Sequence, residues 1–169
     1  MKDQSYERYS IRLNLNHEIN QWFKFGLQTQ YSHSVKERGS GMEGDAYMYR
    51  ISPLGSLRNE DGTPTQLVAS DAQMWNPLMN LEEGAVSAPE KVSRYLGSYY
   101  VEVTFPVKGL KFKSNLGLDA RTKQDYQFYS SNTSTRQLGT SYAYNGMSKY
   151  TMMTLENMLF YNRDFGKDH

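Results

Sequence analysis

Cysteine is absent from the 169 residues, which removes a disulfide framework, a thiolate nucleophile and any cysteine-ligated metal site. Long apolar runs are missing too. No stretch approaches the roughly 18 consecutive apolar residues of a membrane helix, and residues 1–10 lack the apolar core of a signal peptide. If the chain meets a membrane, it does so as strands of a closed barrel, the one non-helical way to pair every backbone polar group in lipid. A surplus of one charge is also missing: Lys and Arg total 19 against 18 Asp and Glu, for a net charge of +1. The two signs are interspersed, so nucleic acid is excluded as a partner. Apolar residues make up 38% of the chain, below the roughly 45–50% of ordinary globular chains, although the length would permit a core.

What is abundant is the aromatic ring. Fourteen Tyr, seven Phe and two Trp sit in a chain whose mean hydropathy is −0.75. Amphipathic rings in a hydrophilic chain suit a surface between water and something apolar, such as a lipid boundary.

Period-two alternation recurs along the chain and predicts β-strands. Ile11, Leu13 and Leu15 alternate with Arg12, Asn14 and Asn16. After a break at residues 17–21, Phe23, Phe25, Leu27, Thr29 and Tyr31 alternate with Lys24, Gly26, Gln28, Gln30 and Ser32, about the length of a bilayer-crossing strand. A third run opposes Tyr95, Gly97, Tyr99, Val101, Val103 and Phe105 to Ser98, Tyr100, Glu102 and Thr104. Its apolar face starts and ends with rings, as interfacial girdles do. Pro106 to Gly109 then supplies turn chemistry. The fourth run sets Phe112, Leu116, Leu118 and Ala120 against Lys111, Lys113, Asn115, Asp119 and Arg121, and extends towards Tyr129. The fifth, from Tyr150 to Tyr161, carries Met153, Leu155, Leu159 and Tyr161 on its apolar face, with Asn157 among them.

The expected organisation is therefore all-β: strands at about 9–17, 22–34, 95–105, 110–128 and 149–161, one long connection over 35–94 and a second over 130–148. Short and long connections alternate, as in outer-membrane barrels with tight periplasmic turns and long external loops. On that pattern the first strand runs inward. The long connection contains Ser52-Pro53, Asn59 to Pro64 and Trp75-Asn76-Pro77, turn formers between short apolar stretches,. It is expected to be folded, with a small hairpin at Asp61-Gly62, and to cover the barrel mouth.

No enzymatic constellation emerges. His17, His33 and His169 have no metal-ligand spacing, and solvated or structural histidine is the simpler reading. Asn59 to Gly62 lacks the ligand pattern of a calcium loop, and no G-x-S-x-G elbow occurs. If the apolar rows face lipid, then Lys24, Gln28, Gln30, Glu102, Lys111, Lys113, Asn115 and Asp119 face the lumen, where they line a route for a polar solute or simply hydrate the wall. Tyr47, Tyr49 and Trp75 either stack on sugar rings or form the loop's own small core.

The order of these pieces resembles the SusC/RagA-like family of TonB-dependent outer-membrane transporters of Bacteroidetes. The resemblance lies in Arg8 to Leu15 followed by Ile19 to Gly26, in Ser52-Pro53, Asp61-Gly62-Thr63 and Asn76-Pro77-Leu78, in Gly109 to Ser114, and in Leu155 to Tyr161 with Phe165 to His169. Met153 and Leu155 stand where the family often has Trp, and Asp168 interrupts its usual ending. The resemblance implies an internal piece of a large barrel of about 22 strands, with the plug domain outside this chain. It further implies energy-coupled import of oligosaccharides or peptides across the outer membrane, a SusD-like lipoprotein as lid and TonB acting through the plug, with no cofactor and no enzymatic activity. From the residues alone, a soluble β-sandwich binding module and a small porin or adhesin barrel remain open.

Overall fold

A computed structural model describes residues 4–39 and 51–163. Six strands form one antiparallel sheet: β1 (Gln4–Asn20), β2 (Phe23–Arg38), β3 (Val86–Ser87), β4 (Pro89–Thr104), β5 (Leu110–Tyr129) and β6 (Tyr142–Tyr161). The order runs β1-β2-β4-β5, and both β3 and β6 pair with β5. β3 is a two-residue strand that the alternation did not signal; Val86 lies opposite Tyr129 and Ser87 opposite Phe128.

The tight connections are built as their residues dictate. Between β1 and β2, the Asn20 side-chain oxygen accepts hydrogen bonds from the Trp22 and Phe23 N–H groups, both at 2.9 Å. That cap lets β1 run through His17 to Asn20, so the break expected over residues 17–21 shrinks to Gln21 and Trp22. Between β4 and β5, the Phe105 N–H donates to the Leu110 carbonyl at 3.0 Å. Gly109 adopts φ +86°, and its carbonyl accepts from the Asn162 N–H at 2.9 Å.

At their other ends the strands outrun the alternating stretches. β1 starts at Gln4, β2 reaches Arg38, β4 starts at Pro89 and β6 at Tyr142. Alternation marks a strand only where one face is apolar; these extensions break the pattern, that of β6 with Tyr142, Tyr144 and Met147 among polar residues, and pairing with neighbours holds them instead. Arg38, Glu90, Lys123 and Asp125 bring β2, β4 and β5 together through ion pairs, Arg38 to Glu90 at 3.2 Å and Lys123 to Glu90 at 2.9 Å, with Asp125 bound by both cations.

The chain divides into two compact units: a loop unit of residues 1–7, 34–91 and 123–148, and a wall unit of residues 8–33, 92–122 and 149–169. In the loop unit the described part of the long connection, from residue 51 onward, is folded. Arg58 bridges to Pro64 and Leu67 to Trp75. Asp61-Gly62 turns a small hairpin: the Gly62 N–H donates to the Asn59 carbonyl at 3.0 Å, and the Thr63 N–H and hydroxyl donate to the Asp61 carboxylate at 2.9 and 2.6 Å. Val68 is fully buried, and so is Asn76. In the wall unit, apolar residues at odd positions crowd one side of the sheet and stay exposed: Ile11, Leu13 and Leu15 on β1, Val101 on β4, Met153, Leu155 and Leu159 on β6. Leu13 is 59% and Leu155 61% exposed, whereas the buried apolar residues among those described are only Val68, Ala85 and Ala88.

Two outcomes follow. Substituting Gly109→Ala in the full-length protein places a side chain at positive φ and onto the Asn162 carbonyl; it should cost about 1–3 kcal/mol or more, read as a lower urea midpoint. The Thr63 hydroxyl and amide hold the Asp61 carboxyl below its ordinary value of 3.8. A lowered native value means this stabilisation is complete above that ordinary value and disappears as pH falls through the native one. The protection factor of the Thr63 amide, its exchange relative to the unstructured rate at the same pH, should therefore fall in acid, and Asp61→Asn should already show a low protection factor at neutral pH.

Candidate functional site

The even-numbered positions of β1, β2 and β4 and the odd-numbered positions of β5 build a continuous polar face in the wall unit. Its continuity is set at Gly26 on β2, whose missing side chain leaves room for the Tyr100 ring of β4 and the Asn16 side chain of β1. The Tyr100 hydroxyl donates to the Asn16 side-chain oxygen at 3.1 Å, and the Lys113 ammonium of β5 lies 4.8 Å above the same ring. Four strands are thereby joined on one side.

The residues singled out from the sequence fall on this face. Lys24 pairs with Glu18 at 2.5 Å, and Lys111 with Glu102 at 3.6 Å. Asp119 receives two hydrogen bonds from the Arg94 guanidinium, at 2.9 and 2.7 Å, the bidentate geometry that fixes an arginine fork. The Gln30 side-chain oxygen accepts from Arg12 at 2.8 Å. Gln28 and Gln30 line a cavity of 410 Å³ together with Arg12, Asn14, Leu96 and Ser98. Asn115 is half-buried on β5. The partners that went unselected were Arg12, Glu18, Arg94 and Tyr100. Parity was available as a signal for Arg12 and Tyr100, whereas Arg94 fell inside the expected connection and Glu18 inside the expected turn.

The loop candidates separate. Trp75 is half-buried in its bridge to Leu67, next to Asn76, whose side-chain amide donates to the Leu57 carbonyl at 2.7 Å and the Thr65 hydroxyl at 3.0 Å. It is thus built into the loop's own small core. Tyr47 and Tyr49 lie outside the described residues. Of the histidines, His17 meets Phe25 edge-on at 5.7 Å and His33 bonds to the Ser93 hydroxyl at 2.9 Å, while His169 is outside the described residues.

No protein-family model matches the chain. Among curated proteins it is 29% identical over 172 aligned residues to TonB-dependent receptor P3 of Formosa agariphila, an alignment that takes in 95% of this chain and 16% of the receptor. Among solved structures it matches the RagAB peptide importer in its closed-closed state, with a TM-score of 0.56 and 18% identity, over 97% of this chain and 19% of the solved one. The chain therefore spans less than a fifth of the length of either. The receptor carries the sequence likeness and the importer the fold likeness. The chain is thus similar in sequence to part of a TonB-dependent receptor and in fold to part of the RagAB importer.

Proposed function

We propose that this chain supplies wall and external loops to a SusC-like, TonB-dependent transporter of the bacterial outer membrane, importing oligosaccharides or peptides. One observation carries the reading: large apolar side chains stay exposed in rows on one side of the wall unit, while charged and amide groups pair with one another on the opposite side. Lipid suits the first side and a wet lumen the second. A soluble β-sandwich would press such rows against a second sheet, yet Leu13 and Leu155 are more than half exposed. In this reading Lys24, Gln28, Gln30, Glu102, Lys111, Lys113, Asn115 and Asp119 line the lumen. A SusD-like lipoprotein closes the entrance from outside, and TonB acts through a plug domain beyond this chain.

The lipid-facing assignment has a direct measurement. In the full-length protein, Leu13→Arg and Leu116→Arg should each cost about 2–4 kcal/mol near the membrane midplane, seen as loss of the heat-modifiable folded band in outer membranes. Asn115→Arg, one position away on the other face, should leave that band intact. Neutral behaviour of both leucine variants would overturn the assignment of faces. Transport is tested separately, by uptake of fluorescent peptide and oligosaccharide pools into cells carrying the intact gene. Deleting either that gene or the gene for TonB should abolish uptake of one pool, and uptake that survives loss of TonB would refute the coupling.

A further inference from the structure

Three cations on the polar face of the wall unit are neutralised: Lys24 by Glu18, Arg94 by Asp119 and Lys111 by Glu102. Among the described residues Arg12, like Lys113 of the same face, meets no carboxylate; Lys113 lies over the Tyr100 ring, whereas the Arg12 guanidinium donates to the neutral Gln30 amide. It also borders the 410 Å³ cavity whose other polar walls are Asn14, Gln28, Thr29, Gln30 and Ser98, with Leu96 and Leu118 as apolar patches. The polar groups come from β1, β2 and β4, so neighbouring strands of one sheet hold them in place rather than a loop.

A guanidinium has five N–H donors arranged to match a carboxylate. Gln30 uses one at 2.8 Å, which orients the fork and leaves the remaining donors free for a second partner. The flanking amides offer both donors and acceptors, suited to the peptide or hydroxyl groups that accompany a carboxylate in a polar solute. A cation lining a narrow aqueous channel is poorly screened compared with one on an open surface. A mobile anion entering the cavity gains that interaction without displacing a resident carboxylate.

We infer that the cavity between β1, β2 and β4 is a carboxylate-binding site centred on Arg12. This deepens the transporter reading and rests on it. The carboxylate has two possible sources: the imported solute, or an acidic side chain of the same protein beyond this stretch, on its plug or its next strand.

The experiment uses purified full-length protein and two matched probe pairs: N-acetylated tetra-alanine as free acid and as C-terminal amide, and galacturonic acid against galactose. If the solute supplies the carboxylate, the acid of at least one pair should bind at least about tenfold more tightly than its neutral partner. Arg12→Gln should erase that preference and Arg12→Lys should keep part of it. If the protein itself supplies the carboxylate, acid and neutral probes should bind alike. Arg12→Gln should then speed trypsin cleavage of the plug, and Arg12→Lys should restore protection. The site is refuted if the acids show no advantage and plug cleavage is unchanged in Arg12→Gln. TonB-dependent uptake by the same cells reports on the transporter reading independently. Intact uptake with null Arg12 results removes only this site, whereas lost coupling alongside a clear acid preference removes only the transporter.

Discussion

The strands of this chain depend on a rule of geometry: successive side chains point to opposite faces, so one strand presents different chemistry on its two sides. In the wall unit the rule separates apolar from polar residues over β1, β2, β4 and β5, while β6 carries Met152, Met158 and Phe160 opposite Met153, Leu155 and Leu159. The odd row of β1 reads Ile11, Leu13, Leu15 and the even row Arg12, Asn14, Asn16. A one-residue slip of any strand would turn its charges towards the apolar side, so register is fixed by the environment as well as by hydrogen bonds. The Asn20 cap and the Gly109 turn reinforce it at the tight ends.

The two faces are held by different forces. The apolar face gains little inside the chain, since only Val68, Ala85 and Ala88 are buried apolar residues among those described, and all three belong to the loop unit. In the proposed reading, lipid outside the wall satisfies its side chains. The polar face is stabilised internally, by the Arg94–Asp119 fork, the Tyr100 bridge between Asn16 and Lys113, and the Lys111–Glu102 pair. Exposed ion pairs of this kind contribute little to stability individually. Their larger effect is to remove free charge from part of the surface.

How much of this was readable beforehand follows from range in sequence. All-β architecture, the five long strands and the polar positions from Lys24 to Asp119 were legible because alternation is a local signal. So was the Asp61-Gly62 hairpin, which is closed by residues within a few positions. The strand extensions were not legible, because the Arg38, Glu90, Lys123 and Asp125 cluster comes from three strands and leaves no periodic trace. The short β3 was hidden for the same reason: two residues are too few for a period, and its partner Tyr129 is remote in sequence. Arg94 and Glu18 were passed over because they sat where the apolar pattern fades, although they proved to be the partners of Asp119 and Lys24.

The loop unit shows what replaces a core when apolar residues are scarce. Asn76 is fully buried, yet both ends of its side chain are used: its amide donates to Leu57 and Thr65, and its oxygen accepts from the Leu78 N–H at 3.0 Å. Asn80, also buried, accepts from the Ser134 N–H and hydroxyl at 2.9 and 3.0 Å, tying the long connection to the one between β5 and β6. A satisfied buried polar network specifies one arrangement, because any shift strands a donor or acceptor away from water. An apolar core of the same size would tolerate sliding.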